Sequence, residues 1–256
     1  MSYPYNDIFK LPERVLLHKR LPKTFFTKKF NLSAAEKRLL NQSITHMEWL
    51  ASIKPDNANI PMLKNNEWVF EEVQVMKCRV EDNELQKLGV KCAELMQKYI
   101  PYPMVVIVED EHEFVINACH KRINQADTSK RTIEDWYNTT PINKLYKNEL
   151  SEKFFMALDF AAIDKTNLQT SYHSYTQAIV QYQVAEVAGV YQIKSQQKNE
   201  EDLQTLQTID ELEKEIIGLQ NQIKREQQIN AQVNLNITIQ EKKKEIERLK
   251  NIISTI

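Results

Sequence analysis

Residues 68–122 read WVFEEVQVMKCRVEDNELQKLGVKCAELMQKYIPYPMVVIVEDEHEFVINACHKR, and their patterning decides the fold. Within 68–80, Phe70, Val73, Val75 and Cys78 are interleaved with Glu71, Glu72, Gln74 and Lys77. That is the period of a strand with at least one irregularity. Asn83, with Gln86 three residues on, reads as a helix start. Leu85, Leu88, Cys92, Leu95, Met96 and Tyr99 then recur at helical spacing. Pro101 and Pro103 stop that helix. They launch Met104 to Val108, a continuous apolar run typical of a central strand. Glu109 to Glu113 makes a turn, and FVINAC, residues 114–119, pairs back as a hairpin. The unit is a β-α-β-β core: a small mixed β-sheet with flanking helices, α/β or α+β in class. It needs further elements to bury both sheet faces.

Upstream, residues 1–32 read as a basic arm broken by Pro4, Pro12 and Pro22. From Lys10 to Arg38, nine Lys or Arg stand against Glu13 and Glu36, an excess of seven positive charges in a chain of net charge -1. Lys19, Arg20, Lys23, Lys28 and Lys29 are the candidate nucleic-acid contacts, with Phe25, Phe26 and Phe30 among them. Two readings stand for the rings: stacking platforms for bases, or plugs for the core beneath solvated lysines. Ser33 and Glu36 form a capping box. Leu40, Ile44, Met47 and Leu50 extend it into a helix expected to reach about Ile53.

Downstream, residues 123–141 read as a polar loop with a short helix around Ile133–Tyr137. From Ile142 onward the pattern is helical, with one helix over Ile142–Ile163 and another from near Asn167. Ile209, Leu212, Ile216, Leu219 and Ile223 are spaced alternately by three and four, a heptad seam. The same frame meets Glu226 and Asn230 before Val233 and Ile237. A second frame follows through Ile239, Ile246 and Ile253, so a register shift or bend is expected near 226–238. The expected divisions are 1–32, a core over 33–141, a helical connector over 142–200, and a coiled-coil tail over 201–256. The seam, with Asn230 and Val233, serves either another chain or the helix's own domain.

Composition narrows the function. With 3 glycines in 256 residues, the chain lacks the material for a Gly-lined phosphate cradle. Cys78, Cys92 and Cys119 are odd in number and unclustered, which fits buried thiols in a reducing cytoplasm. Residues 1–12 show no charged start followed by an apolar run, so no secretory leader is expected. The five histidines show no metal-ligand spacing, and neither a metal site nor a cofactor is expected. One catalytic alternative is a magnesium-dependent nuclease of restriction type built from Glu109, Asp110 and Lys121. Its acid-x-Lys signature is missing, because Cys119 stands two residues before Lys121 and Val75 two before Lys77.

Five segments carry a family resemblance: LPKTFFTKKFNLSAAEKRLL (21–40), ITHMEWLASIKPDNANI (44–60), EEVQVMKCRV (71–80), KYIPYPMVVIVED (98–110) and KREQQINAQVNLN (224–236). The chain resembles the bacterial family of unknown function numbered 4391. Glu226, Gln228, Asn230, Val233, Leu235 and Asn236 match the family's tail motif. Ile229 departs from it, standing where an aromatic is usual. The resemblance transfers no catalytic residues. It implies a setting beside helicases and DNA methyltransferases in DNA-modification or antiphage systems. The expectation is therefore a non-catalytic accessory subunit that docks such a partner through its coiled coil, or a scaffold that self-assembles by it, with DNA at the basic arm.

Overall fold

Parallel strands cannot be joined by a tight turn, and the helix between residues 80 and 104 supplies the crossover they need. The structure is a computed structural model describing residues 4–192 and 196–254. The chain divides between Tyr182 and Gln183 into two compact units. The first opens with α1 (Tyr5–Phe9), a 3-10 turn (Glu13–Val15), β1 (Leu16–Arg20), α2 (Lys23–Lys29) and α3 (Ala34–Arg38). A π-helical turn (Leu39–Ser43) leads into β2 (Ile44–Ile53), α4 (Pro55–Ala58), β3 (Leu63–Lys64) and β4 (Val69–Phe70). Then come β5 (Val73–Val80), α5 (Leu85–Tyr99), β6 (Met104–Glu109) and β7 (Glu113–Ile123). After β8 (Arg131–Asn138), β9 (Ile142–Asn143) and α6 (Glu149–Leu158), α7 covers Leu168–Ala188.

The main sheet has the order β1-β2-β5-β6-β7-β8, with β9 beside β7. β5 and β6 are parallel, in register from Gln74↔Met104 to Arg79↔Glu109. The other pairings are antiparallel. Every residue of β6 is buried, because both faces of the sheet are covered. On one face Met76, Cys78 and Val80 of β5 and Met104, Val106 and Val108 of β6 pack with Cys92, Ala93 and Met96 of α5. On the other face Tyr5 meets Phe114, Phe9 meets Tyr175, and Phe70 meets Tyr172. The Tyr172 hydroxyl lies 3.1 Å from the Met104 carbonyl and 2.8 Å from that of Cys119, anchoring α7 across β6 and β7.

Four expectations need correction. Residues 44–53 form a strand, not the end of a helix. Two register shifts, between Ile44 and His46 and between Trp49 and Ala51, break its alternation and leave apolar residues at helix-like spacing. Residues 131–138 are a strand paired with β7 rather than a loop with a short helix. The turn before it is built by Asn124, whose side chain accepts the amides of Ala126 and Asp127. The helix expected over Ile142–Ile163 is confined to Glu149–Leu158 and started by an Asn148 cap, while Ile142 belongs to β9. Finally, the basic arm expected over 1–32 is, in its described part, built into the core rather than set apart from it. It contributes β1 to the sheet and Tyr5, Phe9, Val15, Leu21 and Phe26 to the core.

In the second unit, α8 (Gln196–Ile223) and α9 (Ile229–Ser254) form a helical hairpin. The chain reverses over residues 224–228, inside the stretch where a bend is expected. Lys242 of α9 pairs with Glu215 of α8, which fixes the helices as antiparallel. Ile209 and Ile216 are buried, as are Ile239, Ile246, Leu249 and Ile253. The two heptad frames are therefore the facing seams of one hairpin. The first frame ends at Ile223, and Asn230 and Val233 lie outside it, exposed.

Phe26 is fully buried in the cluster beneath α5. Phe26→Ala should cost about 3–5 kcal/mol in urea-induced unfolding. A change under about 0.5 kcal/mol would show that this segment contributes nothing to the core.

Candidate functional site

The pleat of β5 builds the site. With Met76, Cys78 and Val80 turned toward α5, Val75, Lys77 and Arg79 face the other way. Antiparallel pairing sets Glu48 opposite Lys77 and His46 opposite Arg79. Parallel pairing sets Glu109 beside Arg79. α1 closes over this end of the sheet with Tyr5, Asn6 and Phe9. The result is a cavity of about 720 Å³ on the strand faces toward the carboxyl ends of β5 and β6. Sheets with parallel strands bind ligands at that end, and the volume suits a small molecule.

His18 reaches the cavity through a strained strand. The pairing of β1 with β2 shifts between Leu16 and Lys19, and His18 has φ 46°, in the left-handed region. Such a conformation costs about 1–2 kcal/mol for a residue with a Cβ. The bulge brings the imidazole Nδ1 to 3.0 Å from Glu48 Oε1. Lys77 Nζ lies 2.9 Å from the other oxygen of Glu48, and His46 Nε2 lies 3.8 Å from it. Burial pushes the Glu48 carboxyl up, but hydrogen bonds from Lys77 and His18 outweigh it and hold the group below its ordinary range. Glu109 is equally engaged, accepting from Tyr5 Oη and from Lys144 Nζ, each at 2.6 Å. Nothing local in the sequence marks Lys144, which follows β9 in a segment that reads as helix.

The structure separates the nuclease trio. Glu109 lines the cavity. Asp110 is buried, and its Oδ1 accepts the amides of His112 and Glu113 to form the hairpin turn. Lys121 donates to the carbonyls of Ile100 (2.7 Å) and Tyr102 (2.9 Å), at the other end of β6. At ~3.3 Å per strand residue, Lys121 and Glu109 are roughly 20 Å apart. Burial lowers the Lys121 pKa to about 8. The lysine that stands with a carboxylate in the cavity is Lys77.

The predicted nucleic-acid contacts are dispersed. Lys19 and Arg20 are exposed on the edge strand β1, and Lys28 and Lys29 in the last turn of α2. Lys23 is half-buried and donates to the Asn41 carbonyl. Phe25 and Phe30 pack against the core cluster beside Phe26. Lys29 Nζ sits 4.8 Å from the centre of the Phe25 ring. Phe26 is thus a core plug, and Phe25 and Phe30 lie half-buried against the same cluster.

Of the predicted partner residues, Ile209 and Ile216 are buried in the hairpin, and Leu212, Leu219 and Ile223 are half-buried. Asn230 and Val233 face outward. The tail motif forms the hairpin's turn. Glu226 accepts the amides of Gln227 and Gln228 at 2.8 and 2.9 Å, and Gln232 donates to the Glu226 carbonyl. Among the described residues, no group of three His, Cys, Asp or Glu is placed to hold a metal ion. No helix among them is long and apolar enough to cross a membrane. The three thiols are buried and unbridged.

Glu48→Gln should lower stability by about 1–3 kcal/mol at pH 7, because it removes the carboxylate charge that faces the largely buried Lys77 ammonium at 2.9 Å. The folded carboxyl is held below its ordinary 4.5. Its contribution is therefore complete above pH 4.5 and is lost as pH falls through the lower folded value. Urea unfolding from pH 7 to pH 3 should show a shallower acid decline in the variant. Parallel curves for the two proteins would contradict the pairing.

Comparison with known proteins places the chain. No curated protein matches it, and neither does any solved structure. The family model described as "Domain of unknown function (DUF4391)" matches residues 9–246, which include the hairpin turn and the cavity lining apart from Pro4, Tyr5 and Asn6. The chain therefore belongs to the DUF4391 family.

Proposed function

We propose that this chain is a non-catalytic accessory subunit of a bacterial DNA-modification or antiphage defence system, docking a helicase or DNA methyltransferase through its α8–α9 hairpin. One observation carries the docking reading. Ile229, Val233 and Ile237 are 76%, 50% and 53% exposed. They recur every four residues along one face of α9, outside the seam that the hairpin fills. An apolar row displayed this way on a helix fits a partner's groove. Exposed Lys19, Arg20, Lys28 and Lys29 fit contact with a phosphate backbone once the partner has brought DNA near. Buried, unbridged thiols fit a reducing cytoplasm.

The test is co-expression of the chain with the helicase or methyltransferase of its own system, followed by co-purification. The wild-type chain should retain the partner. Val233→Asp combined with Ile237→Asp should lose it while keeping the wild-type helical circular dichroism, since both residues lie outside the buried seam. Retention by the double variant would overturn the docking reading. A dimer mass in solution without a retained partner would transfer the row to a second copy of the chain.

A further inference from the structure

We infer that the cavity at the carboxyl ends of β5 and β6 binds a phosphate monoester carried on an apolar body: a nucleotide, or the phosphorylated end of a nucleic-acid strand. The inference stands apart from the docking reading, because the cavity lies wholly in the first unit.

Charge comes first. Both carboxylates of the cavity are engaged by donors, Glu48 by Lys77 and His18, Glu109 by Tyr5 and Lys144. A carboxylate held between two donors is a poor lure for a cation. Lys77 and Lys144 neutralise these two carboxylates, which leaves Arg79 as the lining cation without a carboxylate partner inside the cavity. Asp82 meets Arg79 at 3.4 Å, in a solvent-exposed pair that screening weakens. An anion in the cavity can compete with Asp82 for that guanidinium.

Shape comes second. Arg79 lines the cavity, with its backbone between His46 on β2 and Glu109 on β6. Its planar fork matches the oxygens of a phosphate two at a time. His18 donates from Nδ1 to Glu48, which leaves Nε2 as an acceptor in the neutral ring and a donor in the charged one. The remaining wall is apolar, drawn from Phe9, Leu11, Leu16, Leu50 and Val75. A cavity with a cationic edge and an apolar wall suits a ligand with a phosphate at one end and a ring at the other. The engaged carboxylates hold the donors in place beforehand, so little ordering remains for binding.

Calorimetric titration of the full chain tests this. The ligands are 5′-AMP against adenosine, and a 5′-phosphorylated single-stranded 8-mer against the same strand with a 5′-hydroxyl. The phosphorylated member of at least one pair should bind roughly tenfold or more tightly than its counterpart. Arg79→Ala should weaken that binding by roughly 10- to 100-fold. Arg79→Lys, which keeps the charge but loses the fork, should fall between. Thermal melting checks that each variant folds, and His46→Ala stands in if Arg79→Ala does not. Tighter binding of AMP identifies a free nucleotide, and tighter binding of the strand identifies a strand end; either supports the inference. Equal binding with and without the phosphate, no binding of any ligand, or binding untouched by both substitutions overturns it.

Discussion

Parallel pairing of β5 with β6 is the constraint from which the rest of the first unit follows. The crossover must lie on one face, and the apolar stripe of α5 decides which. Once Met76, Cys78 and Val80 are committed to α5, the pleat sends Lys77 and Arg79 to the opposite face. There strand register sets Lys77 opposite Glu48 of β2 and Arg79 beside Glu109 of β6. Partly buried charges are costly to strand without partners. The network of Tyr5, Lys144, Lys77 and His18 around two carboxylates is how this fold tolerates them.

The core was legible where one period ran without interruption. β6 is a pure apolar run, α5 keeps its stripe for its whole length, and the β6–β7 hairpin follows from both. β2 was not legible. Its two register shifts place Ile44, Met47 and Leu50 at the spacing of a helix, and a genuine capping box at Ser33 and Glu36 strengthens the illusion. That box does start a helix, but one that ends in a π-helical turn before Ile44. β8 was hidden by its polarity. Thr132, Glu134 and Asp135 suit an edge strand with a wet side, and Trp136 with Tyr137 was the signal to read. The cavity was illegible for a different reason. Glu48 and Lys77 are remote in sequence and become partners through strand register alone, whereas Glu109 and Lys121, close in sequence, lie at opposite ends of their hairpin.

The helical tail shows how far a heptad can be trusted. Its apolar spacing correctly marked surfaces that need covering, but spacing does not say by what. The polar stretch from Lys224 to Gln228 lets the chain reverse, and Glu226 holds the turn by accepting two amides. The second apolar frame then covers the first. What remains outside, from Ile229 to Ile237, is a shorter and differently placed surface than the seam itself.

The bulge at His18 has a consequence beyond the cavity. β1 is the outer strand of the main sheet, and Leu17 to Arg20 are exposed. Such a border offers unpaired amides and carbonyls to any strand that approaches. Here the border is kinked by a left-handed residue and carries Lys19 and Arg20 side by side. A second copy sliding alongside would meet like charges and a broken hydrogen-bond ladder. The residue that contacts Glu48 thus also interrupts the regular edge that a second sheet would need for pairing.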